Sequence, residues 1–342
     1  MATSAPVRRL TPRLVYTPKR TGEARDVTRD VVAQLVSLSY KTFLGDKADA
    51  AEFTVEDAAG LWRGAWFPAV GDRFELELRL GDGAGARSLP CGAFSVDRMT
   101  ATGPPSTVTI AGQSATVTAE MRRTRRTASW EDTDLAAVVA DVAGRSGQAA
   151  RYLTSRTVAY GRVEQLGESD TAFVSRLCRE ADLVCLVRTG EVVVADRGDL
   201  LAGAAVPAVE YATAKSFSLE AAPHAAYGAA EVSYWDPASR ELVTHVERLS
   251  GAATGEVLRI TERAESAADA AARAVAALRR ANRRTSKGRV VVPGRLDLVA
   301  GARVPLSGFG AFDADVVVDQ ADHRFSKSSG YETTISWGQD KT

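Results

Sequence analysis

Histidine and cysteine are the residue types best suited to hold a metal or supply a nucleophile, and the chain has three of each. His224, His245 and His323 lie far apart in sequence, with none at the tight spacing that a metal site uses. Cys178 and Cys185 fall on a predicted helix and the strand after it, where small apolar side chains pack well, and Cys91 stands alone. There is no G-x-S-x-G to expose a serine on a strained turn and no G-x-x-x-x-G-K-[ST] to cradle phosphates. The glycine-rich stretch from Gly81 to Ala86 joins two predicted strands, so no helix N-terminus faces it and it reads as a hairpin loop. Two acidic pairs, Glu131-Asp132 and Asp313 with Asp315, could in principle serve as the acid and base of a glycosidase. In a chain with 43 acidic residues, helix capping and a strand end explain them more simply. Two basic clusters remain, Arg122-Arg123-Thr124-Arg125-Arg126 and the run from Arg279 to Arg289. The first suits a linker or an interface, and the second complements a helix C-terminus. No catalytic, cofactor-binding or metal-binding residue is nominated.

The elements that must position these residues divide the chain into three regions. The first, residues 1–124, is β-rich. Phe74, Leu76, Leu78 and Leu80 alternate with Glu75, Glu77 and Arg79, which gives a strand one dry and one wet face. Further strands are expected at 13–17, 36–42, 52–56, 88–100 and from Val108, with a turn at Pro104-Pro105. The second, 125–203, mixes helix and strand. Thr133 is expected to cap a helix carrying Leu135, Val138, Val139 and Val142 on one stripe, with Asp134 in its first turn. Ser169 is expected to cap another that carries Phe173, Val174, Leu177, Cys178 and Ala181, and a hairpin turning at Thr189-Gly190 follows. The third, 204–342, returns to strands around a turn at Asp236-Pro237-Ala238-Ser239 and one inserted alanine-rich helix. Ser266 and Asp269 resemble the capping box of that helix. Later strands are expected from Val290, at 303–306 and 314–321, and from Tyr331 to Trp337.

Length and composition exclude whole classes. The 342 residues suit two to three domains. The 43 Lys+Arg balance 43 Asp+Glu, which argues against a protein whose main task is to hold nucleic acid. No run of about 18 apolar residues suggests a membrane span, and no apolar segment near Met1 suggests a Sec-type signal peptide. Membrane binding by the chain itself is not expected. Three cysteines form no disulfide framework and fit a reducing compartment. Arg outnumbers Lys 36 to 7, which composition alone ascribes to a GC-rich genome.

An internal repeat links the two β regions. Gly71-Asp72-Arg73-Phe74-Glu75-Leu76 parallels Gly301-Ala302-Arg303-Val304-Pro305-Leu306. Each is followed by an apolar strand that reaches an aspartate, Phe94-Ser95-Val96-Asp97 in one case and Val316-Val317-Val318-Asp319 in the other.

Taken in order, these residues resemble the phage tail baseplate hub, or late control protein D, family, which is also similar to the N-terminal half of VgrG-type spike proteins. The strongest segment runs from Val163 to Leu177, a Glu- and Gln-rich strand end, then Ser169-Asp170, then an apolar helix with Phe173 and Arg176-Leu177. Trp130, Tyr234-Trp235-Asp236, Arg280-Ala281-Asn282-Arg283, Pro293-Gly294, Ala300-Gly301, Gly308-Phe309-Gly310 and the stretch from His323 to Thr334 follow in the same order. In the first region Pro68, Gly71-Asp72, Gly92 and Phe94 fit as well. Ser329-Gly330 departs from the Gly-Gly the family often carries.

The resemblance implies an α+β, β-rich chain with two related β-barrel-like tube domains, 1–124 and 204–342, and an intervening small α+β domain, 125–203. It implies a structural hub and no enzyme: a homotrimer whose doubled unit forms a pseudo-sixfold ring joining a sixfold tail tube to a threefold central spike. The implied partners are the tail tube protein, a separate central spike protein and baseplate wedge proteins, with DNA or effector passing through the lumen and no cofactor. The separate spike follows from the end of the sequence at Thr342, with no needle repeats after the last strand. The implied location is the tail baseplate of a virion or injection particle made in the bacterial cytoplasm. Two alternatives are a hub-associated peptidoglycan hydrolase and a nucleic-acid-binding module using the two arginine clusters.

Overall fold

The computed structural model describes residues 10–45, 47–81, 86–115, 121, 124–188, 190–222, 226–236, 240–248, 256–264, 266–283 and 286–339. The opening region forms β1 (Leu10–Thr17), β2 (Arg25–Asp26), α1 (Thr28–Gln34), β3 (Leu35–Phe43), β4 (Ala50–Glu56), β5 (Arg73–Leu80), β6 (Arg87–Thr102) and β7 (Thr107–Ser114). The period-two pattern of β5 works as expected, with Phe74, Leu76, Leu78 and Leu80 all buried. They join Leu14, Val55, Phe94 and Ile110 in one core.

The middle region forms β8 (Arg125–Asp134), α2 (Leu135–Arg145), β9 (Ala149–Leu153), β10 (Ala159–Ser169), α3 (Asp170–Glu180), β11 (Val184–Arg188), β12 (Glu191–Ala195) and α4 (Arg197–Ala202). The residue that caps α2 is Asp134, whose carboxylate accepts from the Ala137 N–H at 2.8 Å, one position later than expected. The helix begins at Leu135, so the residue that borders its first turn is Asp134, the last of β8. Ser169 caps α3 as expected. The apolar stripes of α2 and α3 meet in a second core around Phe173, over which Trp130 stacks with ring centroids 5.1 Å apart.

The closing region forms β13 (Val209–Glu210), β14 (Ser216–Ala221), β15 (Ala229–Asp236), β16 (Glu241–Arg248), β17 (Val257–Ala264), α5 (Ala267–Asn282), β18 (Ser286–Pro293), β19 (Arg303–Ser307), β20 (Asp315–Val317), β21 (Gln320–Ser326) and β22 (Gly330–Gln339). Ser266 caps α5 through the Asp269 N–H, and the Asp269 carboxylate pairs with Arg273. The strand expected over 314–321 is two strands, because the Val318 carbonyl turns aside to accept from Gly301 N–H at 2.8 Å. The turn residues Pro237, Ala238 and Ser239 lie outside the described residues.

The repeat is structural. Gly71 N–H donates to Val96 O at 2.9 Å, and Val96 N–H to Asp72 O at 2.8 Å. In the second copy Gly301 N–H donates to Val318 O at 2.8 Å, and Val318 N–H to Ala302 O at 3.0 Å. Both glycines have positive φ, 93° and 87°, which favours glycine at this tight crossing. The order β3-β4-β7-β6-β5 recurs as β14-β18-β22-β21, continued through β20 to β19, with every pairing antiparallel. The copies differ at their far side, where β1 runs antiparallel to β5 but β13 runs parallel to β19. The chain is thus α+β and β-rich, with two related β-barrel-like units and a small α+β unit between them.

Candidate functional site: the joined sheet and its seam

The two copies fuse. β21 of the second pairs antiparallel with β3 of the first, from Gln320 opposite Phe43 to Ser326 opposite Ser37, giving one eleven-stranded sheet. Behind this seam is a packed polar cluster. His323 is fully buried, its ring stacked between Tyr40 at 5.8 Å and Tyr331 at 6.1 Å. Its Nδ1 lies 2.8 Å from the Tyr331 hydroxyl, while Nε2 has no well-aligned partner. Burial pushes the imidazole down to about 4; the Leu298 carbonyl, poorly placed for a bond, and the Asp297 charge offset part of the shift. Thr42, also fully buried, accepts from the Ala300 N–H at 2.9 Å, and Leu44 N–H donates to Asp319 O at 2.7 Å. Such buried groups stay in place because leaving them unpaired costs about 1–3 kcal/mol each.

The other face of the sheet is polar and crosses the seam without a break. One row reads Glu332, Arg324, Ser39, Glu52, Ala111, Arg98 on six successive strands. The next reads Ser326, Ser37, Thr54, Thr109, Thr100. Charges on this face meet opposite charges, Arg98 with Glu52 at 3.3 Å, Arg324 with Asp322 at 2.7 Å and Lys327 with Glu56 at 2.8 Å. The two exposed pairs, Arg98 with Glu52 and Lys327 with Glu56, contribute at most about 1 kcal/mol each, while the Asp322 carboxylate is buried. Their effect is to leave a hydrated wall with little net field.

Asp72 anchors the loop that leads into β5. Its carboxylate accepts from the Ala69 and Lys19 N–H groups, both at 2.7 Å, and from the Tyr16 hydroxyl. Burial alone would raise this carboxyl, but the donors together hold it below its usual value. The Ser169-Asp170 segment has a parallel explanation. The Asp170 side chain is buried between Arg126 at 3.4 Å and Arg145 at 3.6 Å, and accepts from Gln165 Nε2 at 2.9 Å.

The structure separates most of the residues weighed as chemical candidates. Cys91, Cys178 and Cys185 are buried and free, and Cys178 and Cys185 are neighbours whose contact and burial push the Cys178 thiol well up. His245 lies on the half-exposed face of β16, in a different sheet from His323, and His224 lies outside the described residues. Among the described residues no group of three His, Cys, Asp or Glu is placed to hold a metal ion. Asp313 accepts from the Gly308 and Phe309 N–H groups, and Asp315 pairs with Arg303 at 2.6 Å. Glu131 faces Arg162 at 3.5 Å on the β8–β10 ribbon. Of the first basic cluster, Arg122 and Arg123 lie outside the described residues, as do 82–85 of the glycine-rich loop. The second cluster does more than complement a helix end. Arg280 donates to Arg179 O at 2.8 Å and Arg283 pairs with Asp182 at 2.6 Å, which ties α5 to α3. Arg284 is outside the described residues. Sequence reasoning did not single out the seam cluster of Tyr40, Thr42, His323 and Tyr331; the one available signal was a histidine in an alternating strand four residues before a tight turn. No helix among the described residues is long and apolar enough to cross a membrane.

Comparisons with known proteins agree with this geometry. A probable baseplate hub protein of Escherichia phage P2 is 28% identical over 191 residues, covering 55% of this chain and 47% of that protein. The chain thus spans about half the length of the curated relatives it matches. Among solved structures, the tail protein from Neisseria meningitidis MC58 has a TM-score of 0.71 at 11% identity, covering 97% of both chains. An Escherichia coli protein described as a component of the type VI secretion system, with structural similarity to bacteriophage tail proteins, has a TM-score of 0.55 at 14% identity. It covers 90% of this chain and 76% of its own. These two likenesses concern the fold. The description "Phage tail baseplate hub (GPD)" matches residues 68–329, most of the chain, and the chain therefore belongs to the phage tail baseplate hub family.

Proposed function

We propose that this chain is the structural hub of a contractile tail or injection system, a virion tail component. In this reading three copies form a pseudo-sixfold ring that joins the sixfold tail tube to a threefold central spike. The observation that carries the reading is the doubled strand order fused into one sheet through β3 and β21. A chain that holds the same unit twice offers six equivalent wall segments from three copies, which is how a threefold object mates with a sixfold one. The polar face with its self-paired charges is the lumen wall, across which DNA or a protein effector passes without being held. The domains are 1–124 and 204–342 for the tube and 125–203 for the outer brace, which meets wedge proteins. The spike is a separate polypeptide.

The coarse role is supported by the family match and by the tail proteins that share the fold. The test is to count copies in assembled tails by native mass spectrometry and in particle images. Three copies in a ring between tube and spike are expected, and any other stoichiometry overturns the reading.

A further inference from the structure

The repeat has a consequence at the two open edges of the sheet. Across the first copy, one row of opposed residues reads Leu38, Phe53, Ile110, Met99. Across the second copy the matching row reads Phe217, Val290, Ile335, Ala321. Phe217 therefore stands where Leu38 stands, and Met99 where Ala321 stands. Ala321 and Leu38 lie on the two strands of the internal seam and are 0% and 3% exposed. Their counterparts lie on strands with an open edge. β14 is the last strand of the sheet, and β6 pairs with β5 only up to Ser95, leaving 98–102 paired with β7 alone. Phe217 is 49% exposed, in contact with Tyr211, itself 54% exposed, and with Phe309. An open strand edge beside bare aromatic rings is what a sheet protein ordinarily covers.

We propose that the β6 segment 98–102 of one copy pairs antiparallel with β14 of a second copy of this chain, in the register of the internal seam. Transferring that register sets Met99 opposite Ala221, Thr100 opposite Glu220, Ala101 opposite Leu219 and Thr102 opposite Ser218. The ladder stops at Pro104, which has no N–H to give. The alternation is right on both faces. Thr100, Thr102, Ser218 and Glu220 continue the polar wall, while Met99, Ala101 and Leu219 extend the barrel cores; a slip of one residue would invert every side chain. Arg98 then sits diagonal to Glu220, an opposite-charge pair at cross-strand distance. The inference rests on the ring reading and adds to it which edges meet and in which register.

The test uses tails assembled with the double variant Thr102→Cys/Ser218→Cys, oxidised and run on a non-reducing gel. The three native cysteines are buried. Directly opposed residues have Cα atoms about 4.5–5.5 Å apart, within disulfide reach. The pair Thr100→Cys/Ser218→Cys is two residues out of register, at about 7–8 Å, and is out of reach. A covalent trimer from the first pair and single chains from the second are expected. Three copies per tail with no cross-link at 102/218, or with one at 100/218, overturns the register while leaving the ring intact. A copy number other than three overturns the ring itself. Wild-type tails give a second readout that needs no substitution. Amides of 98–102 and 217–221 are expected to exchange at least tenfold more slowly in tails than in the dilute monomeric chain. Equal exchange in both overturns the proposal, as does protection of 217–221 alone, which would mean that another tail protein covers that edge.

Discussion

Acid should open the seam between the two repeats, and His323 sets the pH at which it does. Its imidazole is buried between Tyr40 and Tyr331, faces Asp297 from the neighbouring loop, and titrates near 4 in place of the usual 6.5 because burial disfavours the cation. The folded chain therefore binds this proton more weakly than the unfolded chain, so stability rises with pH across that interval. The contribution is complete above about pH 7 and falls as the pH passes down through 6.5, by about 1 kcal/mol at pH 5.5 and by roughly 2–3 kcal/mol at pH 4.5. Below about pH 4 both states are protonated and the loss levels off near 3 kcal/mol. Urea unfolding at these pH values, with hydrogen exchange of the β21 and β3 amides as the local readout, measures it. His323→Gln keeps a polar partner for the Tyr331 hydroxyl but cannot take up the proton. It should be less stable than the parent at pH 7.5 and lose much less between pH 6.5 and 4.5. An equally steep loss in that variant would refute the argument, as would an imidazole NMR titration with a midpoint near 6.5.

Gly288 is a strand residue where an added Cβ would fall 2.2 Å from the Trp337 ring, so Gly288→Ala should cost about 1–3 kcal/mol in urea unfolding through overpacking. Asp170→Ala removes the buried carboxylate between Arg126 and Arg145. It should destabilise the middle region by about 3 kcal/mol, read as early proteolysis of residues 125–203 relative to the rest. Ser169→Ala removes the cap of α3 and should cost about 1 kcal/mol, while Ser169→Asp should restore most of it.

The local grammar of this chain was legible because each signal resides in a few consecutive residues. Alternation announced β5, Ser169 announced α3, and the turn at Gly190 announced the β11–β12 hairpin. The repeat was legible too, since Gly71 and Gly301 mark the same crossing and each is followed by the strand that carries its partner, Val96 or Val318. Where two adjacent residues compete for one role, as Thr133 and Asp134 did for a cap, the point at which β8 gives way to the helix decided the matter, and β8 is held by the distant β10.

The seam was beyond sequence reading for the same reason. Ser39 and Asp322 are 283 positions apart and meet only because β3 and β21 both present free edges once their own units have closed. A strand's hydrophobic pattern says which face is buried but not which edge accepts a neighbour, because backbone N–H and C=O groups are the same for every residue type but proline. Composition could not reveal that His323 is neutral and sealed, or that Arg280 and Arg283 tie one helix to another. The sequence by itself determined the strongly patterned elements such as β5, α3 and α5, their buried faces and the existence of a doubled unit. Tertiary structure alone decided that the two units share one sheet, since that choice is made by edges and distances that no short stretch of residues encodes.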